Sequence, residues 1–191
     1  MKRFAIFISL HLFLFLLVIV YQAQALDQVS EEEWTIDSYE TLAYARVSGL
    51  ITHGDNLNFW LRSEDCQKVY NTFTVYTYET RLDIKQLLNR NIPIEINGEP
   101  LSASVQDISP FLMGYRVHLS LGGFPIQEYI YFLNEFYQSF NNKYEIEIVD
   151  GLNFDSSKFF DVKKNSWQLD QLVPSVLKAN KLCKELSHEK L

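Results

Sequence analysis

Three sets of residues in this chain have types and spacings that could carry chemistry. Glu145 and Glu147 stand two apart in YEIEIVDG. On a strand they would share a face about 7 Å apart, at ~3.3 Å of rise per residue. Paired carboxylates at such a spacing can serve as acid and base in glycoside hydrolysis. The same pattern also describes a solvated strand face with two outward charges. His53, Asp55 and His118 are the second set. Imidazole and carboxylate side chains ligate metal when three or four converge. Nothing in the spacing of these three brings them together, so neither a metal nor another cofactor is assigned. Cys66 and Cys183 are the third set and the only cysteines. Cys66 follows Glu64 and Asp65, whose charges oppose a thiolate, so a structural role suits it better than nucleophilic catalysis. No Gly-x-Ser-x-Gly elbow, phosphate-binding glycine loop or His-Glu-x-x-His helix occurs. No catalytic residue is therefore assigned, and the chain is read as a non-enzyme.

The elements that must position these residues begin after the N-terminal segment. MKRFAIFISLHLFLFLLVIVYQAQA opens with Lys2 and Arg3, continues through an apolar run, and ends in Ala23 and Ala25. That order is the pattern of a secretory signal peptide cleaved after Ala25. The alternative is an uncleaved anchor, for which the apolar run is at the short limit of about 20 residues. Residues 1–25 are thus read as a signal peptide and 26–191 as one domain. Loss of Lys2 and Arg3 moves the net charge from −7 to −9. Such an acidic chain repels nucleic-acid phosphates and anionic lipid, so neither nucleic acid nor membrane is expected as a partner of the mature protein. An even cysteine count in an exported chain predicts one disulfide, Cys66–Cys183, with two free thiols as the alternative. The absence of Asn-x-Ser/Thr in the mature chain agrees with a bacterial periplasmic or secreted location.

Alternation of apolar and polar residues predicts strands over 34–39, 44–51, 57–62, 72–79, 92–97, 101–105, 115–121 and 144–149. SEDCQK (63–68) reads as a loop, and 81–90 as a short helix. Asn97-Gly98 is a hairpin turn. Pro93 places its strand at an edge or faces away from the ladder. Gly122-Gly123 should end its strand. FPIQEYIYFLNEFYQSF (124–140) fits a helix whose Ile126, Tyr129, Ile130, Leu133, Phe136, Tyr137 and Phe140 form one apolar face. On that helix Tyr131 is the only aromatic expected to face solvent. Residues 157–162 read as a further strand. Asn165 or Ser166 then caps a last helix, with Gln168 as capping-box partner and a bend or restart at Pro174. The expected fold is α+β: an antiparallel sheet, as a sandwich or half-barrel, with the aromatic helix and a C-terminal helix packed on it.

Tyrosines are the remaining feature. Tyr76 and Tyr78 share one face of a strand, opposite Phe73 and Val75. If both sheet faces are covered they are core. If one face is open they form, with Tyr131, a candidate patch for a partner.

The succession WTIDSY, IEINGEP, an amphipathic helix, YEIEIVDG and KFFDVKKNSWQLDQLVPSVLKANKLC is similar to exported bacterial proteins of the invasion-associated locus B type and related periplasmic domains. The resemblance covers residues 92–183. It implies an envelope location and a binding or structural role, with no catalytic residue to carry over. The chain departs from the pattern at Tyr44-Ala45-Arg46, where the resemblance leads one to expect an early cysteine, and Cys66 would take that pairing role. The function expected is a non-catalytic envelope or secreted domain that binds a protein or another envelope component. The alternatives are an extracytoplasmic hydrolase with an unrecognised carboxylate site and an inhibitor of a secreted enzyme presenting loop 52–56 or 63–68.

Overall fold

Alternation of side chains along the strands dictates an antiparallel sheet with one buried face. In β2 (Leu42–Ser48) Ala43, Ala45 and Val47 are fully buried while Arg46 and Ser48 are exposed. In β3 (Asn56–Arg62) Leu57, Phe59 and Leu61 do the same. A computed structural model describes residues 34–52, 54–78 and 82–188 of the chain. Residues 1–25, read above as a signal peptide, the lead-in 26–33 and His53 lie outside these residues. Among the described residues nine strands form one sheet, a half-barrel in which every neighbouring pair is antiparallel. The other strands are β1 (Trp34–Tyr39), β4 (Asp65–Tyr78), β5 (Asn91–Ile96), β6 (Glu99–Phe111), β7 (Gly114–Pro125), β8 (Tyr144–Ile148) and β9 (Lys164–Trp167). Their order is β1-β2-β3-β4-β7-β6-β5-β8-β9. Helix α1 (Ile126–Ser139) packs on β4 and β7. Helix α2 (Leu172–His188) packs on β1 to β4 and touches α1. With both helices on the sheet the fold is α+β.

Several elements differ from the sequence reading, each for a local reason. Residues 65–68 are strand rather than loop: β4 starts at Asp65, and only Ser63 and Glu64 turn the chain from Arg62, which pairs with Asp65. The polar run there is the outer row of a strand. Gly122-Gly123 does not end β7. Leu121 bulges out of register between Ser120 and Gly122, Gly122 takes φ +119°, and pairing resumes as far as Pro125 opposite Lys68. β5 is an internal strand, between β6 and β8. Pro93 is tolerated because it lies just beyond the Ile94–Ile148 pair that ends the β5–β8 ladder, where its carbonyl accepts from Val149.

Residues 157–162 form no strand. Asp150 accepts hydrogen bonds from Ser156 N and Oγ, at 2.9 and 2.6 Å, and Asp155 accepts from Ser157 N. These side-chain bonds set a 3-10 turn over Ser156–Lys158 in place of a ladder. Asn165 and Ser166 are in β9 and cap no helix; α2 begins at Leu172. Pro174 sits in its first turn, where the missing N–H has no intrahelical partner to lose, so the helix neither bends nor restarts. On α1, Tyr131 is 51% exposed, but Phe132 is 61% exposed as well. Among the described residues no helix is long and apolar enough to cross a membrane.

The half-barrel is held shut by a buried clasp between the β2–β3 connection and β9. Asp55 Oδ1 accepts from Tyr76 N at 3.0 Å, and Oδ2 accepts from Asn165 Nδ2 at 3.3 Å. The Asp55 carbonyl accepts from Gly49 N at 2.7 Å and from Trp167 Nε1 at 3.4 Å. Asn165 Oδ1 accepts from Ile51 N at 3.0 Å. A Cβ on Gly49 would collide with the Asn165 carboxamide, so only glycine leaves room for this contact.

The second long-range tie is covalent. Cys66 and Cys183 form a disulfide with Cα atoms 5.8 Å apart, joining the start of β4 to α2. Asn180 Nδ2 also donates to the Cys66 carbonyl. The crosslink closes 117 residues of sequence separation, for which loop entropy gives up to about 4–5 kcal/mol and measured bridges usually give about 2–4 kcal/mol. Cys183→Ser is expected to lower the unfolding free energy by about 2–4 kcal/mol in urea denaturation, and reduction of the parent protein should reproduce that loss. Equal midpoints for parent and variant would mean that the bridge contributes nothing.

Candidate functional site

An apolar concavity lies where α1 crosses the end of β5, β6 and β7. Pro125 ends β7 and serves as the N-cap of α1, so the helix starts at a fixed point on the sheet. Ile126, Ile130, Leu133 and Tyr137 recur at helical spacing and bury one stripe. Phe132 and Phe136 flank that stripe and overhang the sheet. Between them and Ile96, Leu101 and Leu121 is a groove of about 480 Å³. That volume falls in the ~300–1,000 Å³ range of small-ligand sites, and the lining is predominantly apolar as such sites are. Glu99 is the one charged residue lining it.

Two phenols also line the groove, Tyr144 buried and Tyr129 partly buried. Tyr129 stacks on Phe124 at 4.2 Å between ring centroids, and its hydroxyl donates to Asn71 Oδ1 at 2.8 Å. Tyr144 is 1% exposed and its hydroxyl has no hydrogen-bond partner among the described residues. Its ring lies 6.4 Å from Phe136 on one side and 6.4 Å from Trp167 on another. Burial foremost, and Tyr129 nearby, hold the Tyr144 phenol well above the usual range. Tyr144 is therefore a neutral O–H donor at every ordinary pH.

The carboxylate pair reads differently. Glu145 and Glu147 do share the polar face of β8, and both line a polar hollow of about 290 Å³ with Glu95, Lys143 and Lys164. Lys164 Nζ bridges them at 2.9 Å to each, and Lys143 Nζ reaches Glu145 at 3.1 Å. Burial pushes the Glu145 carboxyl up, but hydrogen bonds and attraction from Lys164 and Lys143 outweigh it and hold the group below the usual carboxylate range. A general acid at neutral pH needs the opposite shift.

His118 pairs with Thr74 on β4 and Asp107 on β6, in mid-sheet. Burial first, then Arg116, lower its pKa, with Asp107 opposing. Asp55 is committed to the clasp. No group of three or more metal-binding side chains converges among the described residues. Asp55 ties the end of the β2–β3 connection into the clasp, and residues 65–68 are strand.

The three tyrosines do not form one patch. Tyr78 is 54% exposed and lies opposite Gly114 at the start of β7, while α1, with Tyr131, leaves the far end of β7. Tyr76 packs edge-on to Tyr78 at 5.7 Å and to Phe111 at 6.1 Å. Beside them Leu112 and Met113 form the β6–β7 turn, 87% and 74% exposed, with Leu112 at φ 52°. The groove itself escaped sequence reasoning. Its signal was the pair Phe132 and Phe136 at the margin of the helix stripe, four apart, with more aromatic surface than one face can bury.

The site and fold together define a disulfide-bridged α+β half-barrel with an apolar groove under a surface helix. No family model, curated protein or solved structure matches the chain.

Asp55 gives a pH signature for the clasp. Burial raises its pKa from 3.8 to about 6, against the opposing hydrogen bonds from Tyr76 and Asn165. The folded state therefore holds a proton that the unfolded chain releases. The stability from that proton is full below about pH 4 and is lost as pH rises through about 6. The expected size is about 3 kcal/mol. Unfolding free energies of the parent and Asp55→Asn, measured across that window, should change relative to each other by this amount in the variant's favour with rising pH. A constant difference would show that Asp55 does not titrate there.

Proposed function

We propose that this chain is an exported, non-catalytic binding domain of the bacterial envelope that takes an apolar envelope component in the groove beneath α1. The observation that supports it is the 480 Å³ groove walled by Phe132, Leu133, Phe136, Leu101 and Leu121, with a single charged residue at its lining. Exposed aromatic surface of this kind is costly in water and is relieved when an apolar partner covers it. The disulfide is compatible with an oxidising compartment outside the cytoplasm. The signal-peptide pattern and the resemblance to exported envelope domains support the same location. Hydrolysis at Glu145 and Glu147 is the weaker reading, because Lys164 occupies both carboxylates.

A fluorescent apolar probe such as N-phenylnaphthylamine should bind the purified protein saturably, with one site. Phe132→Glu and Leu101→Glu alter exposed walls, so they should leave the melting temperature within a few degrees of the parent's. Each should weaken probe binding by about tenfold or more, because a charge must be desolvated against the ligand. Absence of saturable binding, or binding indifferent to both substitutions, would remove the groove as the site.

A further inference from the structure

Resting on the groove reading, we infer that the ligand carries an uncharged carbonyl, as an acyl ester or amide does, and that Tyr144 is the residue that reads it. Buried hydroxyls in folded proteins nearly always have a partner, so one without is a site awaiting an acceptor. Tyr144 carries such a hydroxyl, and the residue, 1% exposed, is one of those that line the groove. Its neighbour Tyr129 donates to Asn71 Oδ1, and no hydrogen bond joins the Tyr129 oxygen to the Tyr144 hydroxyl. Phe136 and Trp167 fix the ring from two sides.

Charge decides which acceptor fits. No lysine, arginine or histidine lines the groove, and Glu99 does. A carboxylate or phosphate seated there would be desolvated without a counter-ion and would face a like charge. A neutral carbonyl needs a single donor, and the Tyr144 hydroxyl is one. The apolar remainder of the ligand lies along Phe132, Phe136 and Leu101. Tyr144 thus selects esters and amides over free acids and over plain hydrocarbon.

Displacement of N-phenylnaphthylamine by methyl decanoate, decanoate and decane separates the possibilities. In the parent, methyl decanoate should displace the probe more tightly than decanoate. Tyr144→Phe should weaken methyl decanoate by about 5–10-fold, the usual worth of one buried hydrogen bond, and leave decane unchanged. The variant deletes only an unpartnered hydroxyl, so it should melt at or above the parent's temperature. Infrared spectra of carbonyl-labelled methyl decanoate should show a band shifted to lower frequency when bound to the parent and an unshifted band with the variant. If decane binds while methyl decanoate is unaffected by Tyr144→Phe, or its band is unshifted, or decanoate binds more tightly, the inference fails and the groove reading stands. If neither decane nor methyl decanoate displaces the probe, both fail.

Discussion

The carboxylate of Asp55 and the carboxamide of Asn165 are separated by 110 residues of chain and meet in a buried hydrogen bond. Everything downstream of that contact depends on it, because it is where the last strand of a nine-strand sheet returns to the connection between the second and third. Asp55 also fixes Trp167, whose indole N–H donates to the Asp55 carbonyl. The Trp167 ring in turn lies against Phe73 and Tyr144. A line of contact therefore runs from the clasp through one indole to the phenol that lines the groove. The clasp itself does not line the groove; it reaches it only through the contact of Trp167 with Tyr144.

The cost of this arrangement is a buried acid. A carboxyl group deep in protein resists ionisation unless hydrogen bonds compensate it. At Asp55 two such bonds are present, and burial still prevails. The polar hollow on β8 solves the same problem in the opposite manner. There the acids stay near solvent and share a lysine, which suits a strand face that must remain hydrated beside the aromatic end of α1. The two carboxylate settings explain why one is a structural lock and the other a surface brace.

Much of the fold was legible because its signals are local. Alternation in NLNFWLR and YEIEI marks strands, Asn97-Gly98 marks a hairpin, and the spacing of Ile126, Ile130, Leu133 and Tyr137 marks a helix. The single pair of cysteines in a chain with an export pattern pointed to the bridge found between β4 and α2. What was not legible depends on partners distant in sequence. Asn165 looks like a helix cap because asparagine favours caps, yet its carboxamide is taken by Asp55, Ile51 and Thr52. Pro93 looks like an edge residue, and only the position of β8 shows how an inner strand accepts it. The groove was hidden for a related reason: Leu101 and Phe132 are unremarkable alone and become a cleft only when β6 and α1 are brought side by side.

The bridge and the clasp share one trait with a bearing on biogenesis. Each joins the first half of the domain to its final portion, with Cys183 in the terminal helix and Asn165 shortly before it. A nascent chain still attached to the ribosome lacks these partners, so its early strands have nothing to lock against. Closure waits until the C-terminal helix has emerged, so the half-barrel is completed only at the end of synthesis.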